Sequence, residues 1–400
     1  MAQHSPTRQM MDPDFDTPID RAGSHSEKFD GRLQKFGRAD VNPLWIADMD
    51  FAAPACVTDA LAARLQHPVF GYTLYPESLY DAVIDWFARR HQWTIPREWI
   101  VLAPGVVPSL HAAVQAFTSI GEGVIVQPPI YPPFFSAVTA NHRQLILNPL
   151  LEKDGHYRMD LDHLDNVARQ GARLLLLCSP HNPVGRVWDQ AELLELLRIA
   201  RHHQMTIISD DIHCDIVYPG AKHTMLARLA EPADRIITAI SPGKTFNIQG
   251  LGLSALIMPH AAQREVMAQA FGRLEAGNSN PFSISAFEAA YRGGESWLEA
   301  LTAYLEATID FVADDLRRHI PQIRLIRPQA SYLLWLDCRD LGMDDRALRD
   351  FMINHCRLGL NPGDIYGCGG SGFMRMNIGT TRQRVREALI SIRQALPPPA

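Results

Sequence analysis

Leu174-Leu175-Leu176-Leu177-Cys178-Ser179-Pro180-His181-Asn182-Pro183-Val184-Gly185 is an apolar run that ends in a turn-forming cluster. A helical pattern follows at once. From Gln190 to His203, Leu193, Leu194, Leu196, Leu197 and Ala200 make an apolar face, and Glu192, Glu195, Arg198 and Arg201 a polar one, as in a helix that covers a sheet. Thr206-Ile207-Ile208 then reads as a second buried strand. Short apolar strands of this kind, buried on both faces and joined through a helix, belong to a parallel sheet.

The same texture extends in both directions, through Val124-Ile125-Val126, Ile236-Ile237-Thr238 and Ser254-Ala255-Leu256-Ile257. The chain is therefore expected to be α/β, with a large mainly parallel sheet between helical layers over residues 55–285. In such folds catalytic side chains gather on loops beyond the strand ends. Residues 286–400 predict a smaller α+β domain: one long helical pattern from Ser283 to His319, strands at Ile323–Ile326 and Tyr332–Leu336, a helix from Arg346 to His355 and a strand from Phe373 to Ile378. Residues 1–54 have few regular patterns and are expected to wrap back onto that smaller domain, and the tail Pro397-Pro398-Pro399 is expected to be disordered.

Composition narrows the function. Of the 400 residues 20% are charged, the net charge is −6, and no basic stripe argues for a nucleic-acid partner. The six cysteines are scattered without a C-x-x-C pair, so neither a zinc ribbon nor a disulfide framework is expected and no metal is assigned. No segment has the apolar core of a signal peptide or the length of a membrane span, which predicts a cytoplasmic protein.

Three glycine-bearing motifs mislead. Gly243-Lys244-Thr245 spells the end of a phosphate loop, but Thr238 stands where that motif needs its first glycine, and no helix is expected after Thr245. Gly367-Cys368-Gly369-Gly370-Ser371-Gly372 and Gly250-Leu251-Gly252-Leu253-Ser254-Ala255 imitate a dinucleotide fingerprint, yet both run into strands rather than helices.

The strand ends supply a coherent chemistry. Lys244 lies between two apolar strands. Asp210 ends the strand begun at Thr206, where a buried acid is costly without a positive partner. Asn182 follows Leu177, Tyr131 follows Val126, and Gly105, Val106 and Val107 open a helix whose N–H groups can hold an anion. Each has a bland reading taken singly: a solvated lysine, a turn asparagine, a half-buried ring. An amine, a buried acid, an anion cradle, an amide and an aromatic plate together suit pyridoxal phosphate.

With these residues in place the chain resembles fold-type I pyridoxal-phosphate enzymes of the aminotransferase class I/II superfamily, and within it the MalY/PatB group of cystathionine β-lyases. The likeness runs through Phe15-Asp16, Lys28-Phe29-Asp30, Pro43-Leu44-Trp45-Ile46-Ala47-Asp48-Met49-Asp50-Phe51, Gly71-Tyr72-Thr73, Cys178 to Gly185, Lys244-Thr245-Phe246-Asn247 and Gly372 to Ile378. It implies that Lys244 bonds covalently to the cofactor and then moves the substrate α-proton. By the same resemblance Asp210 pairs with the pyridinium nitrogen, Asn182 donates to the ring oxygen, Tyr131 stacks on the ring, and Arg375 forks onto the substrate carboxylate. Gly105, Val106, Val107 and Ser241 hold the phosphate, His213 lies close behind the ring, and Tyr72 reaches the phosphate of a second subunit in a homodimer. His181 is left as either a packed loop histidine or a substrate contact, and the adjacent His202 and His203 read as a solvated face.

The sequence departs from the group at Gly243, where serine is common, at Asp211, where glutamate is usual, and at Phe29, where tryptophan is common. The implied reaction is β-elimination from cystathionine or a related cysteine S-conjugate, giving a thiol, pyruvate and ammonia. An aminotransferase would use the same cofactor residues, and a cofactor-binding regulator that acts through a protein partner is a third reading.

Overall fold

The computed structural model describes residues 13–273 and 280–396. The proline tail from 397 lies outside them. Seven strands form the larger sheet: β1 (Ile100–Ala103), β2 (Gly123–Val126), β3 (Gln144–Leu147), β4 (Ala172–Cys178), β5 (Thr206–Asp210), β6 (Arg235–Ile240) and β7 (Ser254–Ile257). Their order is β1-β7-β6-β5-β4-β2-β3. All pairings not involving β7 are parallel, whereas β7 runs antiparallel to both β1 and β6. The sheet is thus mainly parallel with one reversed strand.

The two faces of β4 explain its leucines. Leu174 and Leu176 pack with Val124, Val126 and Ile208 on one side, and Leu175 and Leu177 pack with Ile125, Ile207 and the helix residues Leu193, Leu196 and Leu197 on the other. Alternate side chains point to opposite faces, so a strand covered on both must be apolar throughout. The helix predicted over 190–203 spans Gln190–His202 and opens with a capping box between Asp189 and Glu192.

A second, antiparallel sheet contains β8 (Arg324–Ile326), β9 (Leu333–Asp337), β10 (Asn361–Pro362) and β11 (Phe373–Asn377), in the order β8-β9-β11-β10. The N-terminal segment lies against it: Asn42–Pro43 pairs in parallel with Leu358–Gly359, and the Asn377 N–H donates to the Leu44 carbonyl at 2.8 Å. Among the described residues no helix is long and apolar enough to cross a membrane.

Two expectations need correction. The long helical pattern from Ser283 is two helices, Pro281–Gly293 and Glu295–His319, divided at Gly294. A Cβ at Gly294 would come within 2.4 Å of Phe246 Cε1 and 2.6 Å of the Ala290 carbonyl oxygen. The glycine therefore lets the Phe246 ring seat against the helix junction. The segment around Lys244 is also not plain loop: Gly243–Phe246 forms one helical turn, closed by Asn247 in the left-handed region, and a 3-10 turn at Gln249–Leu251 leads into β7. Lys244 lies inside that turn and not ahead of a long helix, so the phosphate-loop reading still fails.

Because Phe246 shares its turn with Lys244, overpacking at Gly294 should be felt there. Gly294→Ala is expected to cost about 1–3 kcal/mol, measured by thermal or urea unfolding; an unchanged melting temperature would show that the ring can move aside freely.

Candidate active site

The C-terminal ends of β2, β4 and β5 and the turn after β6 converge on a chamber of about 230 Å³. Each contributes because a parallel strand delivers its following loop to the same edge. Lys244, Asp210, Asn182 and Tyr131 line it, together with His213 and Ser241. The helix Val106–Phe117 starts at its wall, where Gly105, Val106 and Val107 present the first turn. N–H groups there have no intrahelical acceptor.

Lys244 reaches inward and its Nζ donates to the Ala47 carbonyl at 2.5 Å. Burial, with the Arg375 guanidinium as a second cause, lowers its pKa to about 8. Asp210 shows the opposite effect. Burial raises its pKa to about 7, against the Ile212 N–H that donates to it. Among the described residues no cation pairs with this carboxylate. Burial in the chamber thus brings an acid and a base, on neighbouring elements, toward their neutral forms.

Arg375 on β11 is buried, so it is not a surface ion-pair member. Its Nη1 donates to Asn182 Oδ1 at 3.1 Å and its Nη2 to the Trp45 carbonyl at 2.8 Å, while Nε has no partner. No carboxylate faces it among the described residues. Since Asn182 Oδ1 accepts from Arg375, the amide nitrogen of Asn182 is left to donate into the chamber. Arg375 belongs to a wider cleft of about 880 Å³ that shares Tyr131 and Lys244 with the chamber.

The other expected residues differ in what they offer. His213 is buried, its Nδ1 3.2 Å from Ser331 Oγ, and burial lowers its pKa to about 3. It faces the chamber as a neutral ring. The Ser241 hydroxyl donates to the Leu253 carbonyl at 3.0 Å and accepts from the Gly243 N–H at 3.1 Å. Its proton is therefore already engaged. His181 packs edge-on against Trp188 with its Nε2 2.9 Å from the Pro129 carbonyl. It is a packed loop histidine and lines neither cavity. His203 is 2.8 Å from Asp165, which gives it a local partner. Tyr72 is fully exposed, in a stretch where Val69, Phe70 and Leu74 are exposed too, and it touches neither cavity.

The residues that seat this machinery carry none of the chemical roles above. Asn247 binds the N-terminal segment from the lysine turn: its Oδ1 accepts from the Met49 N–H, and its Nδ2 donates to the Met49 and Phe51 carbonyls. Lys28 is buried 3.0 Å from Asp50, and Arg21 pairs with both Asp48 and Asp50 at 2.7 Å. The available signal was a cluster of charges around an otherwise apolar segment.

Comparison with known proteins agrees with this arrangement. Residues 40–392 match the family model of class I and II aminotransferases. The cystathionine β-lyase PatB of Bacillus subtilis is 42% identical over 96% of this chain and 99% of its own length. Protein MalY of Escherichia coli is 32% identical over 96% and 98%. The crystal structure of cystalysin from Treponema denticola, which contains pyridoxal 5′-phosphate, superposes with a TM-score of 0.94 at 35% identity, over 96% of this chain and 99% of that one. The chain therefore belongs to the class I and II aminotransferase family and, within it, to the group of PatB and MalY.

Proposed function

We propose that this protein is a pyridoxal-phosphate-dependent carbon–sulfur β-lyase that cleaves cystathionine or a related cysteine S-conjugate to a thiol, pyruvate and ammonia. The observation that carries the reading is Asp210, a buried carboxylate without a cationic partner in the chamber that holds the Lys244 amine. Asp210 would pair with a protonated ring nitrogen, which would supply the missing charge. The first-turn N–H groups of Val106 and Val107 suit its phosphate, and the free Asn182 amide suits its ring oxygen. Identity to a cystathionine β-lyase over nearly the whole chain supports elimination as the reaction.

When bound, the cofactor supplies an electron-withdrawing ring that spreads the charge left on the substrate α-carbon. The side chains do the rest. Arg375 has spare N–H groups and no carboxylate of its own, so it takes the substrate carboxylate as a fork. Tyr131 lines both the chamber and the cleft, where its ring would lie against the bound cofactor. Lys244, with its pKa brought to about 8, has a neutral fraction at working pH and removes the α-proton at Nζ. The sulfur departs as thiolate and recovers a proton, for which Lys244 is the nearest acid.

The exposed run around Tyr72 supports a homodimer in which this ring reaches the phosphate of a second subunit. All six cysteines are unpaired, which suits a reducing interior, and we place the enzyme in the cytoplasm.

The direct test supplies cystathionine to the purified, cofactor-loaded protein. Pyruvate and thiol are expected from wild type and neither from Lys244→Ala; transfer of the amino group to a 2-oxo acid in place of pyruvate release would overturn the lyase reading in favour of an aminotransferase. Asp210 gives a stability test. Its folded pKa is raised, so its stabilising form is the neutral one: the contribution is complete below about 4, the unfolded value, and is lost as pH rises through about 7. Cofactor-free Asp210→Asn should therefore be more stable than cofactor-free wild type at pH 8, by something of the order of 3 kcal/mol, with the gap closing toward pH 5. Its cofactor affinity should fall at the same time. Equal stability at both pH values would mean that Asp210 is solvated. Finally, Tyr72→Phe should weaken cofactor binding about tenfold while size-exclusion chromatography still shows a dimer; unchanged affinity would remove Tyr72 from the phosphate site.

A further inference from the structure

The cleft in front of the chamber is much larger than a cysteine side chain requires, at about 880 Å³. Its charges fall into two sets. Arg21 pairs with Asp48 and Asp50, and both carboxylates also pair with the buried Lys28, so these charges already compensate one another within the protein. Arg375 lies at the floor, ready for one carboxylate. Glu27 and Lys35 remain, both exposed, both lining the cleft, and neither with an ion-pair partner among the described residues.

Their placement ties them to the reaction centre. Glu27 opens the short helix Glu27–Asp30, and Lys35 lies in the next one, Arg32–Phe36. Lys35 Nζ lies 5.3 Å from the centre of the Trp45 ring, and the carbonyl of Trp45 receives Arg375 Nη2. The Glu27 charge is felt at the Tyr131 hydroxyl, where it reinforces the effect of burial. Between mouth and floor the wall is partly apolar, with Ile19, Ile46 and Phe51.

We propose that Glu27 and Lys35 form a far-end subsite that selects substrates whose sulfur substituent ends in a second amino-acid head group. The ammonium of that group meets Glu27, its carboxylate meets Lys35, and the methylenes between sulfur and head group lie along the apolar wall. A substrate with a single head group would need only Arg375. Two further opposite charges at the mouth match a zwitterion, and they act against an apolar S-alkyl tail by staying unpaired when it binds. This assignment rests on the lyase reading and narrows it to cysteine S-conjugates of the cystathionine kind.

The test compares L-cystathionine with S-methyl-L-cysteine, which ends at one methyl group. In wild type, Glu27→Gln, Lys35→Gln and the double variant, pyruvate release gives kcat/KM for each substrate. The ratio of cystathionine to S-methylcysteine is expected to fall about threefold to fivefold in each single variant and about tenfold in the double. Both side chains are exposed, so the fold tolerates the changes. A ratio that stays at the wild-type value in all three variants overturns the subsite. Titration calorimetry on cofactor-loaded Lys244→Ala, with and without the same substitutions, reads the preference as binding without turnover. If wild type releases pyruvate from neither compound, the lyase reading fails, and the calorimetric preference for cystathionine, lost in the variants or absent from the start, still decides the subsite.

Discussion

The extended segment from Trp45 to Phe51 is a row of backbone carbonyls on which both halves of the site hang. Trp45 receives Arg375 and Asn361, Ile46 and Asp48 receive Asn377, Ala47 receives Lys244 and Tyr332, and Met49 and Phe51 receive Asn247. Lys244 and Asn247 come from the turn after β6; Arg375 and Asn377 come from β11. Buried carbonyls must be paired, and in this segment, which lacks a ladder of its own, side chains do most of that pairing, with the Asp48 N–H adding a bond to Ile46. The need is mutual, and it fixes the spacing between amine and guanidinium. The buried Lys28–Asp50 pair keeps the segment in place: removing one partner would leave an uncompensated charge in the interior, a larger loss than the pair's own attraction.

Burial then sets the chemistry. An acid and an amine buried in one chamber would, at close contact, ionise each other. Here the amine is held at Ala47 and the acid at the end of β5, and each shifts toward neutrality for the same reason, loss of water. The consequence is a chamber that gains stability when something carrying a positive charge enters next to Asp210. Occupation by a cation and activation of the lysine are thus two results of one constraint.

Much of this was legible in the sequence because burial on both faces imposes a pattern. Leu174 to Leu177 had to be a central strand, and the residues that follow such strands had to meet at one edge, which brought Asp210, Asn182 and Tyr131 together on paper. What escaped was whatever an apolar pattern does not encode. Ser254–Ile257 is apolar whichever way it runs, so its reversal could not be read. The period of 3.6 passes unchanged through Gly294, because the break depends on the distant ring of Phe246. The direction of the Asn182 amide is set by Arg375, nearly two hundred positions away in the chain, and the full exposure of Tyr72 is not encoded in its residue type. The carbonyls of Trp45 and Ala47 carry no residue-type signal at all.

The acids that follow β5 show how the fold singles out one residue of a kind. Asp210, Asp211 and Asp215 are all buried. Asp215 accepts from Trp86, from Thr245 and from the His91 ring; burial alone would raise its pKa, but His91, Thr245 and the nearby Arg90 charge hold it below the usual range. Through Thr245 it also grips the lysine turn from behind. Asp211 faces the His223 ring at 2.8 Å. Only Asp210, among these three, meets no imidazole, hydroxyl or indole, and only Asp210 points into the chamber. The fold pairs Asp211 and Asp215 with imidazoles, ties Asp215 to the lysine turn as well, and leaves Asp210, whose side-chain partner among the described residues is the Ile212 N–H, to meet a ligand.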